Sequence, residues 1–350
     1  MINSKLIQEE FNLIYNVLDF EDLKDKTILV SGASGFLASY FVYFLIWLNL
    51  NFNLNIKIIC IVRDLYKART KFGDYLSQVI LIRQDIAEAF IIDGSVDIII
   101  HAASKATPKI FREDPVGVNL PNVIGTNNLL KIANEKQVEN FIFFSTTGVY
   151  GFLPVYCYPV DEDCFGSINP TDLGSCYIES KKSGENLCIA WSYQYNVPVK
   201  IIRPSIIYGC GIPLDDGRVC DDFISSIINK KNLVLYGEGK VERSFCYIAD
   251  FLYALLLVLI KGENRQAYNI ASDYEISIHD LAHLLTEKVF PELGLEVNTT
   301  LMPERQFLRQ QFDKTWMNID KIKDLGWFQT FSLEDGFRRT INIFEEVGWK

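Results

Sequence analysis

Short apolar runs alternate with longer amphipathic segments from residue 26 to residue 205. The runs lack the polar alternation of a half-exposed strand, so they predict strands covered by helices on both faces. The segments between them, such as 117–135 and 176–195, have helical length and periodicity. This order predicts an α/β fold with a doubly wound parallel sheet. The predicted strands are KTILVSG (26–32), IKIICIV (56–62), VILIRQD (79–85), VDIIIHAA (96–103), FIFFSTT (141–147) and PVKIIRPS (198–205).

Two flanking regions depart from this pattern. Residues 1–25 predict an amphipathic helical extension, whereas the chain after residue 205 has shorter runs separated by loops. We therefore expect a sheet domain over 26–205 and a smaller lobe, interleaved with it, over 206–350. The most apolar stretch, FLASYFVYFLIWLNL, is shorter than the roughly 20 residues that span a bilayer. It predicts a buried helix and no membrane insertion.

The composition argues against a nucleic-acid-binding protein and against a metal site. The chain has 350 residues, 49% of them hydrophobic, and its net charge is -10. That charge argues against nucleic acid as a partner, because phosphate contacts need a basic surface. Eight scattered cysteines without a Cys-x-x-Cys pair, and only three histidines, argue against a metal site. Unpaired thiols suit a reducing compartment and the N-terminal residues lack a signal-peptide pattern, so we predict a cytoplasmic protein.

The first predicted strand runs into a glycine turn, SGASGFLA, with the spacing Gly32-x-x-Gly35-x-x-Ala38. Glycines there permit a tight turn and a close approach of the backbone to a pyrophosphate, which binds at the positive end of the following helix. The turn predicts that 26–205 is a Rossmann-type dinucleotide-binding domain. The residues of the turn expected to contact the cofactor are Gly32, Ser34, Gly35, Phe36 and Leu37.

The second predicted strand ends in ICIVRD, which puts Arg63 where an acidic residue would hold the adenosine ribose. An arginine at this place can stack on adenine and pair with a 2′-phosphate. Lys67 and Arg69 would add positive charge. The alternative is a solvated Arg63 with Asp64 holding the ribose. The pattern favours NADP(H) over NAD(H).

Tyr177 and Lys181 lie four residues apart in GSCYIESKK, a spacing that puts both on one face of a helix. The ammonium would lower the pKa of the phenol, so that Tyr177 would exchange a proton with a substrate hydroxyl near neutral pH. The strand FIFFSTT ends in hydroxyls from Ser145 to Thr147. Ligands of such sheets bind beyond the carboxyl ends of the strands, so Thr146 would hold the oxygen that Tyr177 protonates. The alternative is a polar strand end that meets solvent.

The glycine turn, HAAS at 101–104, STTGVYG at 145–151 and the Tyr-x-x-x-Lys motif together resemble the extended short-chain dehydrogenase/reductases that act on nucleotide sugars, within the NAD-dependent epimerase/dehydratase family. The similarity runs from about residue 26 to LGW at 325–327. By this resemblance Thr146, Tyr177 and Lys181 are the catalytic residues, and Tyr177 and Lys181 also contact the cofactor. The resemblance also implies Asp85 and Ile86 beside the adenine, Ala103 and Ser104 along the cofactor, Pro204 near the nicotinamide, and Asn122 as a support of the site.

Within this family, the segments DDGRVCDDFI, GSCYIESKK and LYGEGKVERSFCYIAD look most like UDP-glucuronate decarboxylases and dTDP-glucose 4,6-dehydratases. The resemblance makes Arg243 the clamp of the nucleotide diphosphate, a role that its paired N–H donors suit, and puts Arg218 beside the substrate. Either could instead be an ordinary surface arginine. Lys105 and Thr147 are further candidates for substrate contacts. The implied partner is a nucleotide-diphosphate sugar, and the implied assembly is a homodimer.

Three departures from the family pattern bear on the reaction. The dehydratases have Asp-Glu where this chain has Thr147 and Gly148, and the decarboxylases likewise have Glu at the Gly148 position. Ile206 replaces the asparagine of the family's RxxNxYG stretch. The family's late arginine has no clear counterpart, although Arg305 and Arg309 lie nearby. What remains is chemistry that needs hydride transfer and one acid/base tyrosine.

Reduction of a 4-keto group and 4-epimerisation both meet this description. An NADP site favours the reductase, because an epimerase regenerates a tightly held NAD. The sequence thus favours reduction of a dTDP-4-keto-6-deoxyhexose, such as the step giving dTDP-fucose for surface polysaccharides. A UDP-sugar 4-epimerase and then a UDP-glucuronate decarboxylase are the alternatives. A non-catalytic, cofactor-sensing binding protein on the same fold is the alternative from another class.

Overall fold

A seven-stranded parallel sheet organises the computed structural model, which describes residues 1–214, 217–301 and 315–348. The strands are β1 (Thr27–Ser31), β2 (Lys57–Val62), β3 (Val79–Arg83), β4 (Ile98–His101), β5 (Asn140–Phe144), β6 (Val199–Pro204), β7 (Ile206–Tyr208), β8 (Leu233–Tyr236), β9 (Glu242–Arg243), β10 (Phe245–Tyr247), β11 (Ala267–Ile270), β12 (Ile276–Ser277) and β13 (Val297–Thr300). The large sheet has the order β11-β6-β5-β4-β1-β2-β3, and the other strands form three pairs.

Helices cover both faces of the sheet. They are α1 (Lys5–Tyr15), α2 (Phe36–Phe52), α3 (Leu65–Phe72), α4 (Pro108–Glu113), α5 (Pro115–Leu120), α6 (Thr126–Lys136), α7 (Cys176–Tyr195), α8 (Val219–Ile228), α9 (Ile248–Lys261), α10 (Ile278–His283), α11 (Asp320–Asp324) and α12 (Leu333–Val347). The apolar helix α2 is buried over most of its length, as its sequence predicts. In the part of the chain that the structure describes, no helix has the length and hydropathy needed to cross a membrane.

The predicted doubly wound sheet is confirmed, and its first six strands are β1 to β6. The strand β11, which pairs in parallel with β6, was not predicted. Its sequence AYNI is short and stands among the loops that we assigned to the smaller lobe. The division at residue 205 stays a prediction, since the second segment returns to add this strand to the sheet.

The strand order reverses at β1, which pairs with β2 on one side and β4 on the other. At such a point the connections leave in opposite directions and open a crevice at the carboxyl ends of the strands. Because all pairs in this sheet are parallel, β1, β4, β5 and β6 end at the same edge. The glycine turn and the hydroxyls after β5 therefore lie at this edge.

The N-terminal extension packs against α2 through aromatic rings. Phe11 of α1 makes edge contacts with Tyr40, Phe44 and Trp47, at ring-centroid distances of 5.3, 5.2 and 5.7 Å. Phe11 is fully buried in the main core cluster. The extension is thus part of the hydrophobic core.

A buried carboxylate joins α1 to the rest of the molecule. Glu10 is 0% exposed and accepts hydrogen bonds from Tyr40, from the Tyr247 hydroxyl at 2.7 Å and from Arg339 Nε at 2.8 Å. Burial raises the pKa of Glu10, and its bonds to Arg339 and the two phenols oppose this rise. The carboxylate links α1 to α2, to the end of β10 and to α12.

Candidate active site at the sheet edge

The backbone of the glycine turn between β1 and α2 packs closely against Ala103. Gly32 has a φ of +67°, and a Cβ on it would lie 2.6 Å from Ala103 Cα, so both conformation and space require glycine. Gly35 begins α2, and no side chain caps this helix. The first N–H groups of a helix lack intrahelical partners, so those of α2 suit a pyrophosphate.

A buried chain of hydrogen bonds fixes the end of β4 against this turn. The Ser31 hydroxyl accepts from Ala103 N at 3.2 Å and lies 2.8 Å from His101 Nδ1, while His101 Nε2 lies 2.9 Å from Thr126 Oγ1. Burial, with the charge of Lys181 adding to it, lowers the pKa of His101 to about 3. His101 is therefore a neutral spacer that holds Ala103 beside Gly32.

The predicted adenosine-binding residues lie at the ends of β2 and β3. Arg63 is exposed directly after β2. The Asp64 carboxylate accepts from Lys67 N at 2.9 Å and caps α3. Asp85 accepts from the backbone N–H two residues later at 2.9 Å, and the Ile86 side chain is buried. Thus the carboxylates of Asp64 and Asp85 each accept a hydrogen bond from a backbone N–H two or three residues later, while Arg63 is exposed at the strand end.

The Thr146 hydroxyl, which follows β5, caps a 3₁₀ turn and lies next to Tyr177. Thr146 Oγ1 accepts from Gly148 N at 3.3 Å and caps the 3₁₀ turn Thr147–Tyr150. The Thr146 side chain is also close enough to the Tyr177 hydroxyl to affect the pKa of the phenol. The structure therefore brings together two of the three predicted catalytic residues through their hydroxyl groups.

Lys181 lies one helical turn after Tyr177 and is 1% exposed. Its Nζ donates to the Phe144 carbonyl at 2.5 Å and is 6.0 Å from the centroid of the Tyr177 ring. Burial lowers the pKa of Lys181 to about 7. The three predicted catalytic residues are thus adjacent, with the amine below the phenol ring.

The expectation of a lowered phenol pKa is wrong for this structure. Burial raises the pKa of Tyr177, and the charge of Arg218 and the Thr146 side chain only oppose this rise. The Lys181 amine is bonded to the Phe144 carbonyl instead of the phenol oxygen. Tyr177 is therefore held in its protonated form, which suits a proton donor.

Apolar residues flank Tyr177 that the sequence analysis did not single out. The Phe111 ring of α4 stacks on the Tyr177 ring, with centroids 5.3 Å apart and an interplanar angle of 13°. Ile178 is 6% exposed and lies against Gly148. The sequence offered one clue to Ile178, which is a large aliphatic residue directly after the tyrosine. It offered no clue to Phe111, because the contact of Phe111 with Tyr177 depends on how α4 packs.

Buried hydroxyls without protein partners follow three neighbouring strands. Among the described residues, the hydroxyl oxygens of Ser104, Ser145 and Ser205 have no hydrogen-bond partner, and neither does Asn122 Oδ1. Such groups are costly unless a ligand or water satisfies them. Together with the uncapped helix α2, they fit a dinucleotide at this edge. Ser205, which follows Pro204 at the end of β6, was missed by the sequence analysis.

The predicted substrate residues have different surroundings. Arg218 is close enough to lower the pKa of Tyr177 by its charge, so the structure brings it to the site. Lys105 forms an ion pair with Asp114, and Arg243 donates to the Glu242 carbonyl at 2.7 Å. A substrate role for Lys105, Arg243 and Thr147 stays a prediction.

Two further predictions concern arginines and metals. Arg305 and Arg309 lie outside the described residues. Within residues 1–214, 217–301 and 315–348, no cluster of three or more His, Cys, Asp or Glu side chains is arranged to hold a metal ion.

A doubly wound parallel sheet with a glycine turn at its switch point defines the class of Rossmann-like α/β proteins. The model of the NAD dependent epimerase/dehydratase family matches residues 28–271. The chain belongs to this family.

Curated relatives include plant and animal UDP-glucuronic acid decarboxylases. UDP-glucuronic acid decarboxylase 2 of Arabidopsis thaliana is 32% identical over 267 residues, which cover 76% of this chain and 57% of that protein. Decarboxylase 5 of the same plant is 31% identical over 318 residues, which cover 88% of this chain and 86% of that protein. The chain thus spans 57% of the length of decarboxylases 2 and 4, and most of decarboxylase 5.

Solved structures of epimerases share the fold. UDP-glucuronic acid 4-epimerase from Bacillus cereus, in a complex with a fluorinated UDP-sugar and NAD, has a TM-score of 0.78 at 23% identity and covers 92% of this chain and 99% of its own. UDP-glucose 4-epimerase from Thermotoga maritima has a TM-score of 0.75 at 23% identity, with coverage of 92% and 99%. Likeness at this identity supports the fold.

Proposed function

We propose that the protein reduces the 4-keto group of a dTDP-4-keto-6-deoxyhexose with NADPH. The observation that carries this proposal is Gly148, beside the hydroxyls of Thr146 and Tyr177. The family's dehydratases and decarboxylases have a carboxylate there, and glycine cannot supply one. Hydride transfer with a single proton donor needs no such acid.

The residues of the site suit a reaction in which the cofactor supplies the hydride and the protein supplies the proton. The cofactor supplies the hydride at C4 when bound, and the turn from Gly32 to Leu37 would hold its pyrophosphate. Thr146 and Tyr177 would bind the keto oxygen by two hydrogen bonds, and Tyr177 would donate the proton as negative charge develops on that oxygen. A charged Lys181 next to the ring would stabilise the resulting phenolate.

Our preference for NADPH over NADH rests on Arg63. It is exposed at the end of β2, where a 2′-phosphate would lie, and the Asp64 carboxylate is engaged in capping α3. An arginine can bond a phosphate through two parallel N–H groups. The family model is named for NAD, so the proposed NADPH preference is a departure that rests on Arg63 alone.

Two other reactions have support of their own. The curated relatives are UDP-glucuronic acid decarboxylases, which favours release of CO₂ from UDP-glucuronate. The structural neighbours include UDP-sugar 4-epimerases, which favours interconversion of a UDP-sugar pair. Both reactions leave the cofactor unchanged overall, whereas the reduction consumes it.

This difference defines the experiment. The protein would be incubated separately with dTDP-4-keto-6-deoxyglucose and NADPH, with UDP-glucose and NAD, and with UDP-glucuronate and NAD. The absorbance of the reduced cofactor and the NMR spectrum of the products would be followed. We expect one equivalent of NADPH to be oxidised per keto sugar. The proposal fails if NADPH is not consumed with any 4-keto sugar nucleotide while one of the other reactions proceeds.

We also propose that the protein forms a homodimer through α5 and α7. Val116, Leu120 and Ile124 are exposed at four-residue spacing along the helical segment 115–136, and Ile189 and Tyr193 are exposed on α7. These two helices pack side by side, so the residues form an apolar surface of the kind that marks an interface. Light scattering should give twice the chain mass of 40.1 kDa, and Tyr193→Asp should lower it. A monomeric wild type would contradict the proposal.

A further inference from the structure

Gly148 and Ile178 fit together next to the catalytic hydroxyls. A Cβ on Gly148 would lie 3.0 Å from Ile178 Cγ1, 3.1 Å from Ile178 Cδ1 and 3.5 Å from Thr146 Cγ2. The first two distances are shorter than ordinary carbon contacts, which lie near 3.5–4.0 Å. The Ile178 side chain therefore occupies the space that a side chain at position 148 would need.

The result is a wall of carbon atoms beside the proton donor. It consists of the Ile178 side chain, Gly148 Cα and the Thr146 methyl group, and the Gly148 N–H is engaged by Thr146 Oγ1 at 3.3 Å. A polar group placed against such a wall loses water without gaining a partner there. A methyl group placed there loses nothing and gains burial.

The chemistry of the sugar decides which group meets this wall. If O4 lies between Thr146 and Tyr177, the neighbouring ring carbons are C3 and C5. In a common hexose C3 carries a hydroxyl, whereas C5 carries C6, which is a methyl group only in a 6-deoxy sugar. An apolar wall next to C4 therefore suits a C6 methyl group on the C5 side.

We propose that Ile178, packed on Gly148, is a specificity-determining residue that accepts a C6 methyl group and disfavours a C6 hydroxymethyl or carboxylate group. The inference rests on the proposed function, which puts the reacting carbon at C4. Apolar surfaces reject an added hydroxyl by about 10- to 100-fold. We expect a larger factor for a carboxylate, because burying an unpaired charge costs more than burying a hydroxyl.

The test measures binding separately from turnover. Calorimetry with the Tyr177→Phe variant, which retains the wall but lacks the acid/base hydroxyl, would compare dTDP-6-deoxyglucose, dTDP-glucose and dTDP-glucuronate. The 6-deoxy sugar should bind about 10- to 100-fold more tightly than dTDP-glucose. Adding Ile178→Ala should reduce the ratio to less than about 3-fold, and the milder Ile178→Val should give an intermediate ratio. The exposed Ile91→Ala, on the same background, should keep it unchanged.

The outcomes separate the inference from the proposed reaction. Equal binding of the three sugars, or a ratio that Ile178→Ala and Ile178→Val leave unchanged, overturns the role of Ile178. A binding preference without NADPH consumption by the wild-type protein on any 4-keto sugar overturns the reductase and leaves Ile178 as the selector. Circular dichroism of each variant shows whether the fold is retained, and Ile178→Val keeps the test decisive if the alanine variant is unfolded.

Discussion

At the scale of single residues, the proposed proton transfer depends on the hydroxyl of Tyr177. Tyr177→Phe should lower the turnover of dTDP-4-keto-6-deoxyglucose by about 10²-fold or more, the usual range for a positioned acid/base group. NADPH binding should change little, because the glycine turn is untouched. Turnover is measured from NADPH absorbance, and binding from cofactor fluorescence. Tyr195→Phe, at the exposed end of the same helix, is the matched control; near-normal turnover of Tyr177→Phe would mean that another residue donates the proton.

At the same scale, our proposed preference for NADPH rests on Arg63. Arg63→Ala should weaken NADPH binding by about 1.5–3 kcal/mol, the contribution of a hydrogen bond to a charged group, and NADH binding much less. The comparison is a fluorescence titration of both cofactors. Lys57→Ala removes a charge from the opposite end of β2 and should affect neither. Equal losses for the two cofactors, or a wild type that prefers NADH, would contradict the NADPH assignment.

At the scale of elements, the sequence predicted the strands and helices that have a clear local pattern of apolar residues. The apolar runs predicted β1 to β6, and the Tyr-x-x-x-Lys spacing put Tyr177 and Lys181 on one face of α7. The strand β11 escaped prediction because a short apolar run in a loop-rich region has no distinctive period. The stacking of Phe111 on Tyr177 and the fit of Ile178 to Gly148 depend on how separate elements pack, which no local pattern records.

A buried carboxylate in the first turn of α9 binds the segment before α12. Asp250 is 1% exposed and accepts from Thr330 N at 2.8 Å and Phe331 N at 3.3 Å. Burial raises the pKa of Asp250 to about 7 from an ordinary value of 3.8, and the two backbone bonds oppose the rise. Below about pH 4 the carboxyl is protonated in the folded and the unfolded chain. Between there and pH 7 only the unfolded chain ionises, so stability falls as pH rises.

Asp250→Asn should remove this dependence. The free energy of unfolding of the wild type, relative to the variant, should fall by at most about 1.4 kcal/mol per pH unit between pH 5 and 7. Urea denaturation at several pH values measures the difference. Asp93→Asn, at an exposed loop position, should show no such slope. A wild-type-to-variant difference that is constant from pH 5 to 7 would show that Asp250 is ionised throughout.

At the scale of the whole molecule, Glu10 ties distant parts of the chain together. Glu10→Ala would leave the Arg339 guanidinium and two phenols without their shared acceptor, so it should lower the free energy of unfolding by about 3–5 kcal/mol. Thermal and urea denaturation measure the loss. Glu9→Ala removes an exposed partner of the same arginine and should cost at most about 1 kcal/mol.

A double variant separates lost charge pairing from lost packing. Glu10→Met combined with Arg339→Met keeps similar volume and leaves no unpaired charge, so it should recover much of the stability that Glu10→Ala loses. If the double variant is as unstable as Glu10→Ala, the two phenols or the packing of α1 account for the loss instead of the ion pair.

The bond between Glu10 and Arg339 also sets an order of events during synthesis. The two residues are 329 positions apart, so a ribosome releases Glu10 long before the arginine exists. The aromatic face of α1 can dock on α2 as soon as both have emerged, but the carboxylate then lacks its cationic partner until α12 follows. Contacts of such large separation form slowly and late, and domains fold progressively as the chain emerges. In the nascent protein, the ionic contact between Glu10 and Arg339 therefore forms only after α12 has emerged.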